Sequence, residues 1–319
     1  MKKIAILTSG GDAPGMNAAI RAVMRVASKK GMEVYGVQDG YQGLVEGKIE
    51  KMKNSDVSEI LSRGGTILGC SRLPEFTQDE IQYQAIYQLV KREIEGLVVI
   101  GGDGSYRGAL ELSRKGLCCV GIPGTIDNDI NGTDETIGFH TALYNIVDAV
   151  NKLRDTSSSH HRCFVIEVMG NNRDSLALYA GIACGSEFII TKNTGYDEDY
   201  IVKMMDYSER EQNKKHAIII ASEKIIDVEK LAQRISQDTN FSGRSIVLGH
   251  IQRGGSPVPQ DRILASQMGE YAVELLEKHQ SGYCVCIKDN HIIGRKIDEA
   301  LNDESEIQKR MYQLFDELV

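Results

Sequence analysis

Short, continuously apolar runs recur along the chain at 4–7, 34–37, 97–100, 118–122, 163–168, 217–221, 245–248 and 284–287, with stretches of helical period between most of them. Such runs read as strands buried on both faces, and their alternation with helices predicts βαβ units built around parallel sheets. The clearest helix follows the first run, where Met16, Ala19, Ile20, Val23, Val26 and Ala27 repeat with a period of ~3.6. A polar loop near Gly138 gives way to a helical pattern reaching Arg154 and then Thr156-Ser157-Ser158-Ser159, which predicts a break between two α/β lobes. The expected lobes are 1–138 with 251–305 and 139–250 with 306–319, with the active site in the cleft between them.

Two strand exits carry the first chemical signal. Gly101-Gly102-Asp103-Gly104-Ser105 follows the run at 97–100, and Pro123-Gly124-Thr125-Ile126-Asp127-Asn128-Asp129 follows the run at 118–122, with a helical stretch from Tyr106 to Arg114 between them. Neighbouring parallel strands would bring both loops to the carboxyl edge of the sheet, where such sheets bind ligands. Adjacent glycines let the backbone approach a phosphate and offer it N–H donors, and Asp103 is placed to hold the accompanying cation. Ser9-Gly10-Gly11-Asp12-Ala13-Pro14-Gly15 adds a glycine loop feeding a helix amino terminus, although it matches neither the dinucleotide fingerprint nor the P-loop. The residues therefore predict phosphoryl transfer. Asp127 and Asp129 could instead be turn-forming residues of a Pro/Gly/Asn-rich loop.

Bulk properties narrow the class. At 319 residues the chain has room for about two domains of ~150 residues, and 41% apolar with 26% charged residues is a globular composition. There is no run of ~18 apolar residues, and Met1-Lys2-Lys3 passes directly into the first strand, so a cytoplasmic protein with no membrane partner is expected. Seven cysteines without a Cys-x-x-Cys pair read as reduced core thiols. A net charge of −8 argues against a nucleic-acid partner and requires local arginines to gather any phosphate.

Taken together, these segments resemble the bacterial ATP-dependent 6-phosphofructokinases over almost the whole chain, from Ile4 through Asn17 to Gln308-Lys309-Arg310-Met311-Tyr312. The 123–129 segment is the most specific part, whereas the 101–105 loop is shared with NAD kinases and lipid kinases. Further landmarks are Arg63-Gly64-Gly65-Thr66, Arg72, Ile166-Glu167-Val168-Met169-Gly170 and the 248–257 segment around His250 and Arg253. The resemblance implies two Rossmann-like lobes and transfer of the ATP γ-phosphoryl group to the 1-hydroxyl of fructose 6-phosphate in glycolysis. Asp127 would be the general base, Thr125 a hydroxyl that orients the reacting groups, Arg72 a catalytic cation and Asp103 the Mg2+ ligand. ATP is expected against Gly11, Tyr41, Arg72, Gly102, Asp103, Gly104 and Ser105. Glycine at 104 and 124, where the pyrophosphate-using branch carries aspartate and lysine, leaves room for a nucleotide. The acceptor is expected against Thr125, Asp127, Asp129, Arg162, Met169, Gly170, Glu223, Arg244, His250 and Arg253, with Arg162 and Arg244 reaching across a subunit boundary of a homotetramer.

The resemblance also implies an ADP or phosphoenolpyruvate effector site at Arg21, Arg25, Glu59, Arg154, Gly185, Glu187, Gln212, Lys214, Lys215 and His216. By themselves Arg21 and Arg25, four apart on one helix face, read as a solvated surface. Two departures stand out. Asn171-Asn172-Arg173-Asp174-Ser175 replaces a segment that usually carries an arginine near the reacting phosphates, and Glu59 and Gln212 replace an aspartate and an arginine. Arg173 could partly substitute for the missing cation, and Asp174 or Ser175 could cap the next helix. The first departure keeps open a weakly active or regulatory paralogue, and a superfamily kinase with another acceptor is the remaining alternative.

Overall fold

The computed structural model describes residues 1–171, 173–212, 214–303 and 307–318. Its strands are β1 (Lys3–Ser9), β2 (Glu33–Val37), β3 (Ile49–Lys51), β4 (Gly96–Gly101), β5 (Cys118–Thr125), β6 (Ile137–Gly138), β7 (Arg162–Val168), β8 (Phe188–Ile190), β9 (His216–Ser222), β10 (Ser242–Val247), β11 (Tyr283–Lys288) and β12 (His291–Lys296). Its α-helices are α1 (Met16–Lys29), α2 (Gly40–Glu46), α3 (Asp79–Val90), α4 (Asp103–Arg114), α5 (Phe139–Ser159), α6 (Ser175–Cys184), α7 (Glu198–Gln212), α8 (Val228–Asp238), α9 (Pro259–Glu277), α10 (Ile297–Leu301) and α11 (Ile307–Leu318). The chain divides into one compact unit of Met1–Thr141 with Arg253–Ser305 and another of Ala142–Gln252 with Glu306–Val319.

The first unit holds a mixed sheet in the order β12-β11-β5-β4-β1-β2-β3, with β6 attached to β5. Its centre is parallel and apolar, as the runs predict, because Ile4, Leu7, Leu97, Ile100, Val120 and Ile122 are fully buried. Both edges are antiparallel, which the hydrophobic pattern did not reveal. Glu50 and Lys51 in β3 are exposed and most of β12 is half-exposed, so neither strand reads as an apolar run. The β11–β12 hairpin turns on Asp289 and Asn290, with φ of 48° and 62°, a left-handed pair that suits a two-residue turn.

The second unit is a fully parallel sheet, β10-β7-β9-β8. Its core gathers Val165, Ile219, Ala221, Leu231, Ile235 and Phe241 between sheet and helices. Two boundaries differ from the sequence reading. Helix α4 begins at Asp103 rather than at Tyr106, because Gly102 alone links strand to helix. Helix α5 continues past Arg154 to Ser159, since the serine run does not stop a helix whose Ser157 is itself buried.

Candidate active site

Strands β1 and β4 are neighbours, but the chain leaves them towards opposite edges of the sheet, β1 on to β2 and β4 on to β5. Their carboxyl ends, paired at Ser9 and Gly101, form the topological switch point where open α/β sheets bind ligands. The 10–15 and 102–105 segments emerge side by side from it. Asp103 is the first residue of α4; the Ser105 and Tyr106 N–H groups donate to the Gly102 carbonyl, and those of Asp103 and Gly104, at the very start of the helix, are the ones placed for an anion. Arg107 Nη2 donates to Asp103 Oδ2 at 2.7 Å, fixing the carboxylate from one helical turn away.

Tyr41 lies beneath this turn. Its ring is 5% exposed and stacked on Phe76 at 4.1 Å, and its hydroxyl donates to the Ser105 carbonyl at 2.7 Å. The loop leading to Arg72 is clamped to α1 and β1. Asn17 Nδ2 donates to the Arg63 and Gly64 carbonyls, its Oδ1 accepts the Ile67 N–H at 2.8 Å, and Thr8 donates to the Gly69 carbonyl at 2.7 Å. Arg72 itself is exposed. Burial pushes the nearby Cys70 thiol up to about 11, which removes it as a nucleophile.

Strand β5 extends through Pro123 and Gly124 to Thr125, beyond the expected end at Ile122, because Gly101 pairs with Pro123 and β6 pairs with Gly124 and Thr125. The Thr125 hydroxyl accepts the Asp127 N–H at 3.2 Å, and Asn128 takes a left-handed φ of 47°. The turn leaves Asp127 only 4% exposed. Arg253 Nη2 lies 4.0 Å from Asp127 Oδ2, while Nη1 donates to the Asp12 carbonyl at 2.9 Å. Arg253 is thereby tied to the 10–15 segment, and a Cβ at Gly11 would lie 2.7 Å from its Nη1. Gly104 and Gly124 separate on the same test. A Cβ at Gly104 meets nothing within 4 Å, whereas one at Gly124 meets Ile100 and Met16 at 3.1 Å. At Gly124 these side chains would have to give by a few tenths of an ångström, while Gly104 faces open space.

The second unit holds the acceptor residues at two ends of its sheet. Met169 and Gly170 follow β7, Glu223 follows β9 and His250 follows β10, all at the carboxyl end. The Met169 N–H donates to Gln252 Oε1 at 3.1 Å, and the Asn171 N–H donates to Glu223 Oε1 at 2.9 Å. Burial, helped by the neighbouring Glu223 carboxylate, raises the pKa of Glu167 in the same strand. Arg162 opens β7 and Arg244 stands early in β10, at the amino end. With strand rise ~3.3 Å per residue, the seven residues of β7 put ~20 Å between the two sets. One copy of this unit does not bring them together.

In the segment that departs from the resemblance, Asp174 does not face outward: it is 3% exposed, and its Oδ2 accepts from the Tyr312 hydroxyl at 2.5 Å and from the Asn193 N–H at 3.3 Å. It stands at the N-cap position of α6 without a side-chain capping bond. Arg173 is exposed. Asn172 and the Gln212 side chain lie outside the described residues.

The effector candidates fall into two groups. In the first unit Arg25 Nη2 reaches Ser58 Oγ at 3.5 Å, beside exposed Glu59, with Arg21 one turn back on α1. In the second, a cavity of about 210 Å3 is lined by Gly185, Glu187, Lys214, Met205 and Phe315. Glu187 accepts from Lys214 Nζ at 3.2 Å and from the Ile218 N–H at 2.7 Å, while Arg154 bonds the Cys184 carbonyl at the end of α6. Lys215 is exposed and His216 opens β9 half-buried. Arg107, Tyr312 and the Asp12 carbonyl were not anticipated; only Arg107 had a signal, its four-residue spacing from Asp103.

Comparison with known proteins agrees with this architecture. The phosphofructokinase family model matches residues 3–276. Over 319 residues the chain is 53% identical to an ATP-dependent 6-phosphofructokinase of Bacillus thuringiensis (strain Al Hakam), covering 100% of this chain and 99% of that one. Its structure is similar to phosphofructokinase from Saccharomyces cerevisiae, with a TM-score of 0.85 and 34% identity over 100% of this chain and 47% of that chain. Pichia pastoris phosphofructokinase in the T-state gives a TM-score of 0.87 and 34% identity over 99% of this chain and 37% of that one. The chain thus spans less than half the length of those two structures.

Proposed function

The chain belongs to the phosphofructokinase family, and from that premise we propose that it transfers the γ-phosphoryl group of ATP to the 1-hydroxyl of fructose 6-phosphate, yielding fructose 1,6-bisphosphate and ADP. The observation that carries this reading is the buried Asp127 beside Arg253 at the carboxyl edge of the β1/β4 switch point. Asp127 takes the proton of the acceptor hydroxyl as that oxygen attacks the γ-phosphorus and the bond to the ADP oxygen breaks. Thr125, through the bond from the Asp127 N–H, sets the turn that aims the carboxylate. Arg253 and Arg72 supply fixed positive charge for the transferring oxygens, where a guanidinium retains its charge at any working pH.

The nucleotide phosphates fall to the Gly11 segment and to the start of α4, Gly102 to Ser105, with Tyr41 supporting that turn from below. Among the described residues no cluster of three or more His, Cys, Asp or Glu exists to cage a metal. A single carboxylate does fit magnesium, which is commonly held by one or two carboxylates and the substrate phosphates. Asp103, steadied at Oδ2 by Arg107, offers that hard oxygen, and Mg2+ held there would neutralise charge on the ATP phosphates.

For the acceptor, Asp129, Met169, Gly170, Glu223 and His250 serve the sugar phosphate, with Arg162 and Arg244 contributed by another copy. The ~20 Å between the ends of the second sheet supports the sharing of the 6-phosphate site across a homotetramer boundary. The cavity at Gly185, Glu187 and Lys214, with Arg154, Lys215 and His216 of the same unit, supports an anionic effector such as ADP or phosphoenolpyruvate, bound between subunits, with Gln212 on the same unit and Arg21, Arg25 and Glu59 supplied by a neighbouring copy. No helix among the described residues is long and apolar enough to cross a membrane, in keeping with work in the cytoplasm. The test is a coupled assay with ATP, fructose 6-phosphate and Mg2+, run beside pyrophosphate in place of ATP. Turnover with ATP and none with pyrophosphate is expected; faster turnover with pyrophosphate overturns the reading.

A further inference from the structure

Asp174 is a nearly fully buried carboxylate that the phosphoryl-transfer chemistry does not use. Its partner is unusual for its distance along the chain: Tyr312 lies on α11, the last helix, and donates its hydroxyl to Asp174 Oδ2 at 2.5 Å. The phenol has a single proton and gives it to Asp174, so the Thr191 hydroxyl, 3.0 Å from Tyr312 Oη, is the donor of that second bond. The Asn193 N–H completes the shell around Asp174. Burial, and then the bond to Asp174, push the Tyr312 phenol up to about 12, so its proton stays in place across any working pH.

Gly170, Asn171 and Arg173 are tied to one another and to the exit of β9 just before Asp174. The Arg173 N–H donates to the Gly170 carbonyl at 2.8 Å, Asn171 holds a left-handed φ of 48°, and the Asn171 N–H grips Glu223 Oε1 at 2.9 Å. Two anchors therefore hold Gly170, Asn171 and Arg173: Glu223 on Asn171, and the buried Asp174 next to Arg173. We propose that Tyr312 is a positioning residue, which through Asp174 holds Arg173, Gly170, Asn171 and Glu223 in the geometry that receives the sugar phosphate. The inference rests on the acceptor role given above to Met169, Gly170 and Glu223. It also accounts for how this part of the departing segment is tied down: the carboxylate at 174 bonds α11, and the neighbouring Arg173 N–H bonds the Gly170 carbonyl. Helix α11 also borders the cavity beside Gly185 through half-buried Phe315, a contact that loss of the Tyr312 hydroxyl leaves in place.

The experiment measures KM for fructose 6-phosphate, KM for ATP, kcat and the thermal midpoint for the parent, Tyr312→Phe, Asp174→Ala, the double variant and Asp174→Asn. Tyr312→Phe should raise KM for fructose 6-phosphate about tenfold and leave KM for ATP unchanged, as losing one hydrogen bond to a charged group implies. Asp174→Asn, which can still accept from the phenol, should recover most of the affinity lost in Asp174→Ala. The double variant should be no worse than Asp174→Ala alone, because Tyr312 acts through Asp174. A lowered thermal midpoint with both KM values unchanged would show a merely structural bond and overturn the proposal, as would additive losses in the double variant. A parent without ATP-dependent activity would instead refute the proposed function.

Discussion

The two units organise their candidate residues differently. In the first, Gly11, Asp103, Thr125 and Asp127 all follow the carboxyl ends of adjacent strands β1, β4 and β5, and Arg253 bonds back to two of those loops within the same unit. In the second, Met169, Glu223 and His250 follow carboxyl ends while Arg162 and Arg244 stand at amino ends, ~20 Å away along β7. One unit of a single chain thus gathers its proposed phosphoryl-transfer residues at one complete edge, and the other places its proposed acceptor residues at two ends of a sheet that do not meet within one copy of that unit. Chemistry at the base should then be lost by changing one chain, whereas acceptor binding should depend on assembly.

The largest effect is expected at the complete edge. Asp127→Asn should lower kcat by ~10²–10⁴ with both KM values nearly unchanged, since the base is lost while the surrounding cations remain. A kcat within a few-fold of the parent would remove Asp127 from its role. At the divided site, Arg162→Ala should weaken fructose 6-phosphate by ~1.5–3 kcal/mol, about ten- to 150-fold in KM, with ATP unaffected. The sharper form is a mixing experiment. Asp127→Asn and Arg162→Ala chains, exchanged into common oligomers and assayed at a fructose 6-phosphate concentration too low to saturate the Arg162→Ala site, should recover activity at sites that combine one intact base with one intact arginine; verified exchange without recovery would place Arg162 outside a shared site.

A third test separates two glycines of the first unit. Gly104→Asp should impair ATP use at unchanged thermal midpoint, because the new side chain enters open space at the start of α4. Gly124→Ala should instead cost stability, of the order of 1–3 kcal/mol, because its Cβ presses on Ile100 and Met16 in a packed core. Loss of stability at 104 and none at 124 would reverse the assignment. The smallest effect concerns the effector candidates. Gln212→Arg should strengthen inhibition by phosphoenolpyruvate by a few-fold, within the ~1–3 kcal/mol usual for coupling between sites, when the fructose 6-phosphate saturation curve is titrated at fixed ATP. Strong inhibition of the parent, unchanged by the substitution, would show that position 212 takes no part.

Much of this molecule was legible because the signals were local. Apolar runs named the buried strands, since a strand covered on both faces can hold little else, and the 101–105 and 123–129 loops announced themselves by glycine and aspartate at strand exits. The edge strands β3 and β12 were not legible, because partly solvated strands carry no continuous apolar run and their pairing is settled by neighbours distant in sequence. The same holds for side chains. The spacing of Asp103 and Arg107 is a helical repeat and could be read directly, whereas nothing near Gly11 tells that Arg253 fills the space beside it, and nothing near Asp174 points to Tyr312. Those contacts join residues 242 and 138 positions apart (253 − 11; 312 − 174). The sequence by itself determined which chemistry the chain carries and on which strand ends it sits. Only the tertiary structure decided what each buried carboxylate touches, Asp127 beside Arg253 and Asp174 against Tyr312, and that a Cβ meets open space at Gly104 but close side chains at Gly124, because those distinctions depend on atoms brought together by packing.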